Sequence, residues 1–176
     1  MVIDWEQVLE DQWGRALVHE SGHALLAALK GIPCQEIYFH KGPNKFCTVI
    51  DLPSEDLYTD DHYLFLVAGG AAELITYNDQ NESAADSDST AFSNAGAPPL
   101  DKTLRDAETL LRQHAGKIRQ LVFLQKVKCL AADFNLRKLP EVGMDGTDEK
   151  YAVLLSREQL EKTIRLPYWK VHGQPT

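Results

Sequence analysis

The chain has 176 residues, 44% of them hydrophobic, and a formal net charge of −8. That length and apolar content suit one domain with its own core and exclude disorder by composition. The basic residues form no cluster, which argues against nucleic acid and anionic membrane surfaces as partners.

The opening "MVIDWEQVLEDQW" is acidic and lacks a basic segment followed by an apolar one, so no signal peptide is expected. A short helix is expected from Asp4 to Leu9, and a longer one from about Asp11 to Lys30, stopped by Gly31 and Pro33. Next come "CQEIYFH" and "FCTVID", two β-prone runs joined by the turn-forming "KGPNK", which read as a hairpin. A further helix is expected from about Thr59 to Tyr77. The stretch "NDQNESAADSDSTAFSNAGAPP" taken alone has linker composition. From Leu100 a single long amphipathic helix is expected through "LDKTLRDAETLLRQHAGKIRQLVFLQKVKCLAADF", with Leu104, Ala107, Leu111, Ile118 and Leu121 at helical spacing. "LPEVGMDGTDEK" reads as a loop. Ser156 and Gln159 form a capping-box pattern at the start of a last helix. The runs "ALLAAL" and "YLFLVAGGAA" are too short to span a bilayer. Cys34, Cys47 and Cys129 are odd in number and widely spaced, so neither a disulfide framework nor a thiolate zinc site is indicated, and a reducing, cytoplasmic compartment fits. The expected fold is α+β and mostly helical, one domain over residues 1–176 with a small hairpin.

The chemistry concentrates in "ALVHESGHALLAALKG", residues 16–31. Positions i and i+4 of a helix lie on one face a turn apart, so His19 and His23 can hold one metal ion between them. Glu20 stands beside the first ligand, where it can take a proton from metal-bound water. Ala16, Leu17, Val18 and Ala24 through Leu29 make this helix apolar almost all round, the signature of a buried one. Two histidines and a glutamate there are costly unless paired or metal-bound. The bland reading is a set of satisfied core residues. Gly22, unfavourable inside a helix by about 1 kcal/mol relative to Ala, suggests close approach by another backbone. A catalytic zinc needs a third protein ligand. Leu26 and Leu29 occupy the glycine and histidine positions of HExxHxxGxxH, which excludes that extended pattern. His40, His62, His114 and His172 have no partner at ligand spacing and read as surface residues, leaving a carboxylate from a distant segment as the third ligand.

These residues resemble a known family. "LVHESGHALLAALKG" is similar to the HEAGH helix of the FtsH-type zinc peptidases. "CTVIDLPSEDLYTDDHYLFLVAGGAAELI" is similar to that family's stretch ending in GGRAAEEI, and "SAADSDSTAFSNA" to its GASNDLxxAT segment, which supplies an aspartate ligand. "LRDAETLLRQHAGKIRQLVFL" followed by "LLSREQLEKTI" resembles its C-terminal helices. The likeness covers roughly residues 12–165 and implies a zincin-like peptidase domain with a long C-terminal helix. As a departure from the family the sequence shows no Walker motif, and a free-standing relative of the peptidase domain, without ATPase module or membrane anchor, is expected. Ser21 stands where the family usually has Ala, and the Arg of the family's GGR element is missing, since Gly69 and Gly70 run straight into Ala71.

The resemblance implies Zn2+ held by His19, His23 and Asp88, with Glu20 as general base. Asp86 is the rival ligand and suits a helix N-cap; both aspartates could instead be solvated in a loop. Glu73 is either an acceptor for a ligand histidine N–H or a surface charge. Gly69, Gly70, Ala71 and Ala72 read as close-packing positions, and "FCTVID" as a candidate edge for an added peptide strand or an ordinary hairpin strand. The implied function is zinc-dependent hydrolysis of unfolded or short polypeptides. The alternative is an inactive interaction or regulatory module on the same fold. Partners left open are a second copy of the chain and a separate ATPase that delivers substrate.

Overall fold

In the computed structural model the residues described are 4–10, 13–41, 45–50, 52–78, 92, 96–132, 142–143 and 150–164. The elements run α1 (Trp5–Glu10), α2 (Gly14–Leu29), β1 (Cys34–His40), β2 (Lys45–Ile50), a 3-10 turn (Glu55–Leu57), α3 (Asp60–Leu66), α4 (Ala68–Tyr77), α5 (Leu100–Arg112), α6 (Ala115–Ala131), β3 (Val142–Gly143), β4 (Lys150–Leu155) and α7 (Arg157–Ile164). The fold is α+β and mostly helical, as the residue patterns imply.

Helix α2 is the axle of the molecule. It touches each of the other six described helices and both strands of the first hairpin. Leu17, Val18 and Ala24 through Ala28 are fully buried, which is why this helix is apolar all round. Its C-terminus closes as a Schellman motif. Gly31, at φ 67°, donates its N–H to Ala28 O, and Ile32 N–H reaches Ala27 O at 2.8 Å. The left-handed φ is the reason a glycine ends the helix there.

The sheet has the order β2-β1-β4-β3 and is antiparallel throughout. The expected hairpin is present, with Tyr38 opposite Cys47 and Phe39 opposite Phe46. Strand β4 went unread in the sequence: "KYAVLL" is an apolar run too short to distinguish from helix, and its pairing with β1 decides it. Trp13 meets Phe39 and Phe46 edge-on at 6.0 and 5.2 Å, tying the start of α2 to the sheet.

Two expected helices are each broken in two. The Thr59 to Tyr77 helix is interrupted at Val67 (φ −99°, ψ 1°), which separates α3 from α4. The long helix from Leu100 is interrupted at Gln113 and His114. The second break lets α5 pack on α4 while α6 packs on α2, which one straight rod could not do. Ala107, Leu111, Ile118 and Leu121 all face the core, and Leu104 is partly buried against it. The capping box at Ser156 is reciprocal: Gln159 Oε1 accepts the Ser156 N–H at 3.0 Å, and Ser156 Oγ accepts the Gln159 N–H at 3.4 Å.

Ser21 does more than replace one small residue by another. Its hydroxyl donates to Leu17 O at 2.7 Å and accepts from Gln125 Nε2 at 2.8 Å, a buried polar bridge between α2 and α6. Removing one member of a buried pair costs about 1–3 kcal/mol, whereas replacing both by apolar groups can be nearly neutral. Ser21→Ala is therefore expected to lower stability by about 1–3 kcal/mol. The double change Ser21→Ala with Gln125→Leu should recover most of that loss in urea melts. Additive losses would show that the bridge contributes nothing.

Candidate metal centre

His19, Glu20 and His23 lie on α2, and all three side chains are largely buried. The two imidazoles are held from behind by different elements. His19 Nδ1 donates to Glu73 Oε1 of α4 at 2.8 Å. His23 Nδ1 donates to the carbonyl oxygen of Phe65 at 2.8 Å, and the Phe65 ring lies 4.9 Å from the imidazole. Phe65 sits two residues before the break at Val67, so the irregularity between α3 and α4 is part of the site.

A neutral imidazole carries one proton, and both acceptors claim it at Nδ1. Each Nε2 is then left with a lone pair, and the two Nε2 atoms face each other at 3.1 Å. Two lone pairs at that distance repel unless a cation lies between them. Ligand bonds of about 2.0–2.1 Å to one ion put neighbouring donors at about this separation. The same gap also fits one shared proton, Nε2–H to Nε2. The donor set, two neutral imidazoles fixed by a carboxylate and a carbonyl, suits zinc.

Helix α4 is shaped for this arrangement. A Cβ on Gly69 would clash with the His19 ring, 2.5 Å from Cδ2. A Cβ on Gly22 would meet Ala68 O and come within 2.6 Å of Ala72 Cβ. The close backbone approach that Gly22 implied is thus the contact of α2 with α4, and Gly69, Gly70, Ala71 and Ala72 are all buried in close packing. Glu73 is no surface charge. It is 1% exposed, with Oε1 on His19 and Oε2 on Arg15 at 3.1 Å.

Glu20 points to the sheet. Its Oε2 accepts from Thr48 Oγ1 at 2.7 Å, and the same hydroxyl lies 3.1 Å from the Glu20 carbonyl oxygen. Thr48 is on β2, one of the two edge strands of the sheet among the described residues. Cys34, at the start of β1, is buried, and that burial pushes its thiol up to about 12, with the Glu20 carboxylate adding to the effect. A thiol so held stays protonated and is a poor metal ligand or nucleophile.

The other described histidines lie elsewhere. His40 stacks on Tyr151 at 4.3 Å, His62 Nδ1 accepts the Thr59 N–H at 2.9 Å as a helix cap, and His114 sits at the α5–α6 break. Asp86, Asp88 and His172 lie outside the described residues. Among the described residues no group of three or more His, Cys, Asp or Glu side chains is placed to hold a metal ion. Arg15 and Thr48 are the site residues that sequence reasoning missed. Arg15 could have been found as the residue one turn before His19; nothing local marked Thr48.

No family model matches this chain, and no curated protein matches it. Among the described residues no helix is long and apolar enough to cross a membrane.

Proposed function

We propose that the chain is a zinc-dependent metallopeptidase acting on unfolded or short polypeptides. One observation carries the reading: the 3.1 Å confrontation of two Nε2 atoms whose Nδ1 partners are already committed. His19 and His23 would hold the ion, with Asp88 as third ligand and Asp86 as its rival. A zinc ion bound there supplies Lewis acidity toward the scissile carbonyl and a water whose pKa falls to about 7.

The chain's own groups do the rest. Glu73 and the Phe65 carbonyl hold the two imidazoles in one tautomer and one orientation. Thr48 holds Glu20 Oε2, so the carboxylate is oriented and Oε1 is the oxygen to take the proton from water and pass it to the leaving amine. Thr48 also links the base to an edge strand, which suits a substrate laid alongside β2 as an added strand. An extended substrate must be unfolded first. Stable domains resist opening by about 5–15 kcal/mol, so short or unfolded chains are the accessible substrates unless a separate ATPase delivers others.

The competing reading is an inactive module in which the two histidines share a proton, since that too satisfies the 3.1 Å contact. Zinc titration of the metal-free chain separates the two. About one zinc per chain is expected. Asp88→Ala should weaken binding, whereas Asp86→Ala should cost only about 1 kcal/mol of stability as a lost cap. The reverse pattern would move the ligand to Asp86, and no uptake at neutral pH would leave the inactive module.

A further inference from the structure

We infer that Arg15 is a positioning residue for the metal centre, acting on His19 through Glu73. The inference rests on the zinc reading above. Helices α2 and α4 meet along two facing ridges. On α2 the ridge is Arg15 and His19, one turn apart; on α4 it is Gly69, Glu73 and Tyr77, each one turn from the next. The ridges interlock. Gly69 makes room for the His19 ring, Glu73 stands between His19 and Arg15, and Tyr77 lies under Arg15, whose guanidinium carbon is 4.6 Å from the ring centroid. Tyr77 in turn donates to Leu9 O of α1 at 3.4 Å.

A carboxylate has two oxygens and, on a flexible side chain, several ways to present them. Here Arg15 takes Oε2 at 3.1 Å, which leaves Oε1 aimed at His19 Nδ1. Glu73 is 1% exposed, and the Arg15 guanidinium at 3.1 Å compensates the burial of its carboxylate. Arg15 is 33% exposed on the other side, so the chain of contacts runs from the surface to the ligand. The planar guanidinium matters because it can stack on Tyr77 and donate to Glu73 in one pose.

The test is zinc affinity of the full chain by competition with a chromophoric chelator. Arg15→Met keeps an unbranched stem over Tyr77 and removes the fork. Zinc binding is expected to weaken about tenfold, toward the low end of what losing an outer partner of a ligand costs. Arg15→Lys should recover part of the loss. In a Glu73→Gln background, already weakened, Arg15→Met should add nothing, because its effect passes through that carboxylate. A merely structural ion pair would lower the melting point of the metal-free chain and leave affinity unchanged in Arg15→Met and Arg15→Lys alike; that result overturns the inference, as does a full additional loss in the Glu73→Gln background. Wild-type protein that takes up no zinc overturns the metal reading itself and the role of Arg15 with it.

Discussion

Glu20→Gln is expected to lower peptide hydrolysis by at least about 10²-fold while the zinc content stays that of the wild type. The amide has the shape of the carboxylate but cannot accept a proton at neutral pH. It can still accept from Thr48, so the 2.7 Å contact that positions the side chain survives the change. The two imidazoles keep their own partners, Glu73 and the Phe65 carbonyl, and neither depends on Glu20. The loss therefore falls on turnover and spares the metal. Casein is a suitable unfolded substrate, with inductively coupled plasma measurement of bound zinc on the same samples. Equal cleavage by wild type and variant would remove Glu20 from the mechanism. Cleavage by neither, with zinc present in both, would leave a zinc-binding chain without peptidase activity.

Gly69→Ala is expected to damage the site although it should help the helix. In an isolated helix, alanine is better than glycine by about 1 kcal/mol. Here the added Cβ would lie 2.5 Å from His19 Cδ2, closer than nonbonded carbons come. Overpacking of this kind costs about 1–3 kcal/mol, which outweighs the propensity gain. Relief requires the ring to swing away, and that breaks the Nδ1 contact to Glu73. Zinc affinity should fall by about tenfold or more, and stability should fall with it. Chelator competition and thermal melts read the two effects separately. A variant that binds zinc as the wild type does and melts higher would mean that the His19 ring does not lie on Gly69.

The parts of this protein that were legible in the sequence are those with local rules. His19 and His23 share a face because they are four apart on a helix, and the Gly31 stop follows from a backbone angle that glycine tolerates. The hairpin, the core positions Ala107, Leu111, Ile118 and Leu121, and the Ser156 capping box were readable for the same reason. Gly22 was legible as a misfit, and the structure supplies the reason in Ala68 and Ala72.

Tertiary structure decided the rest. "YLFLVAGGAAELI" has no breaker before the paired glycines, yet the chain leaves the helix at Val67, two residues past the carbonyl that holds His23. Glu73 could be read as an acceptor for a histidine N–H or as a surface charge, and only the packing of α4 on α2, bringing residues 54 apart to 2.8 Å, decides that it meets His19. Arg15 and Ser21 looked ordinary on α2; their partners, Glu73 and Gln125, come from helices 58 and 104 residues away. Local periodicity sets which face of a helix carries which side chain. It does not set which second helix meets that face or at what height along it. That depends on how all the apolar surfaces are buried at once, and the contacts behind the two imidazoles are fixed at that level.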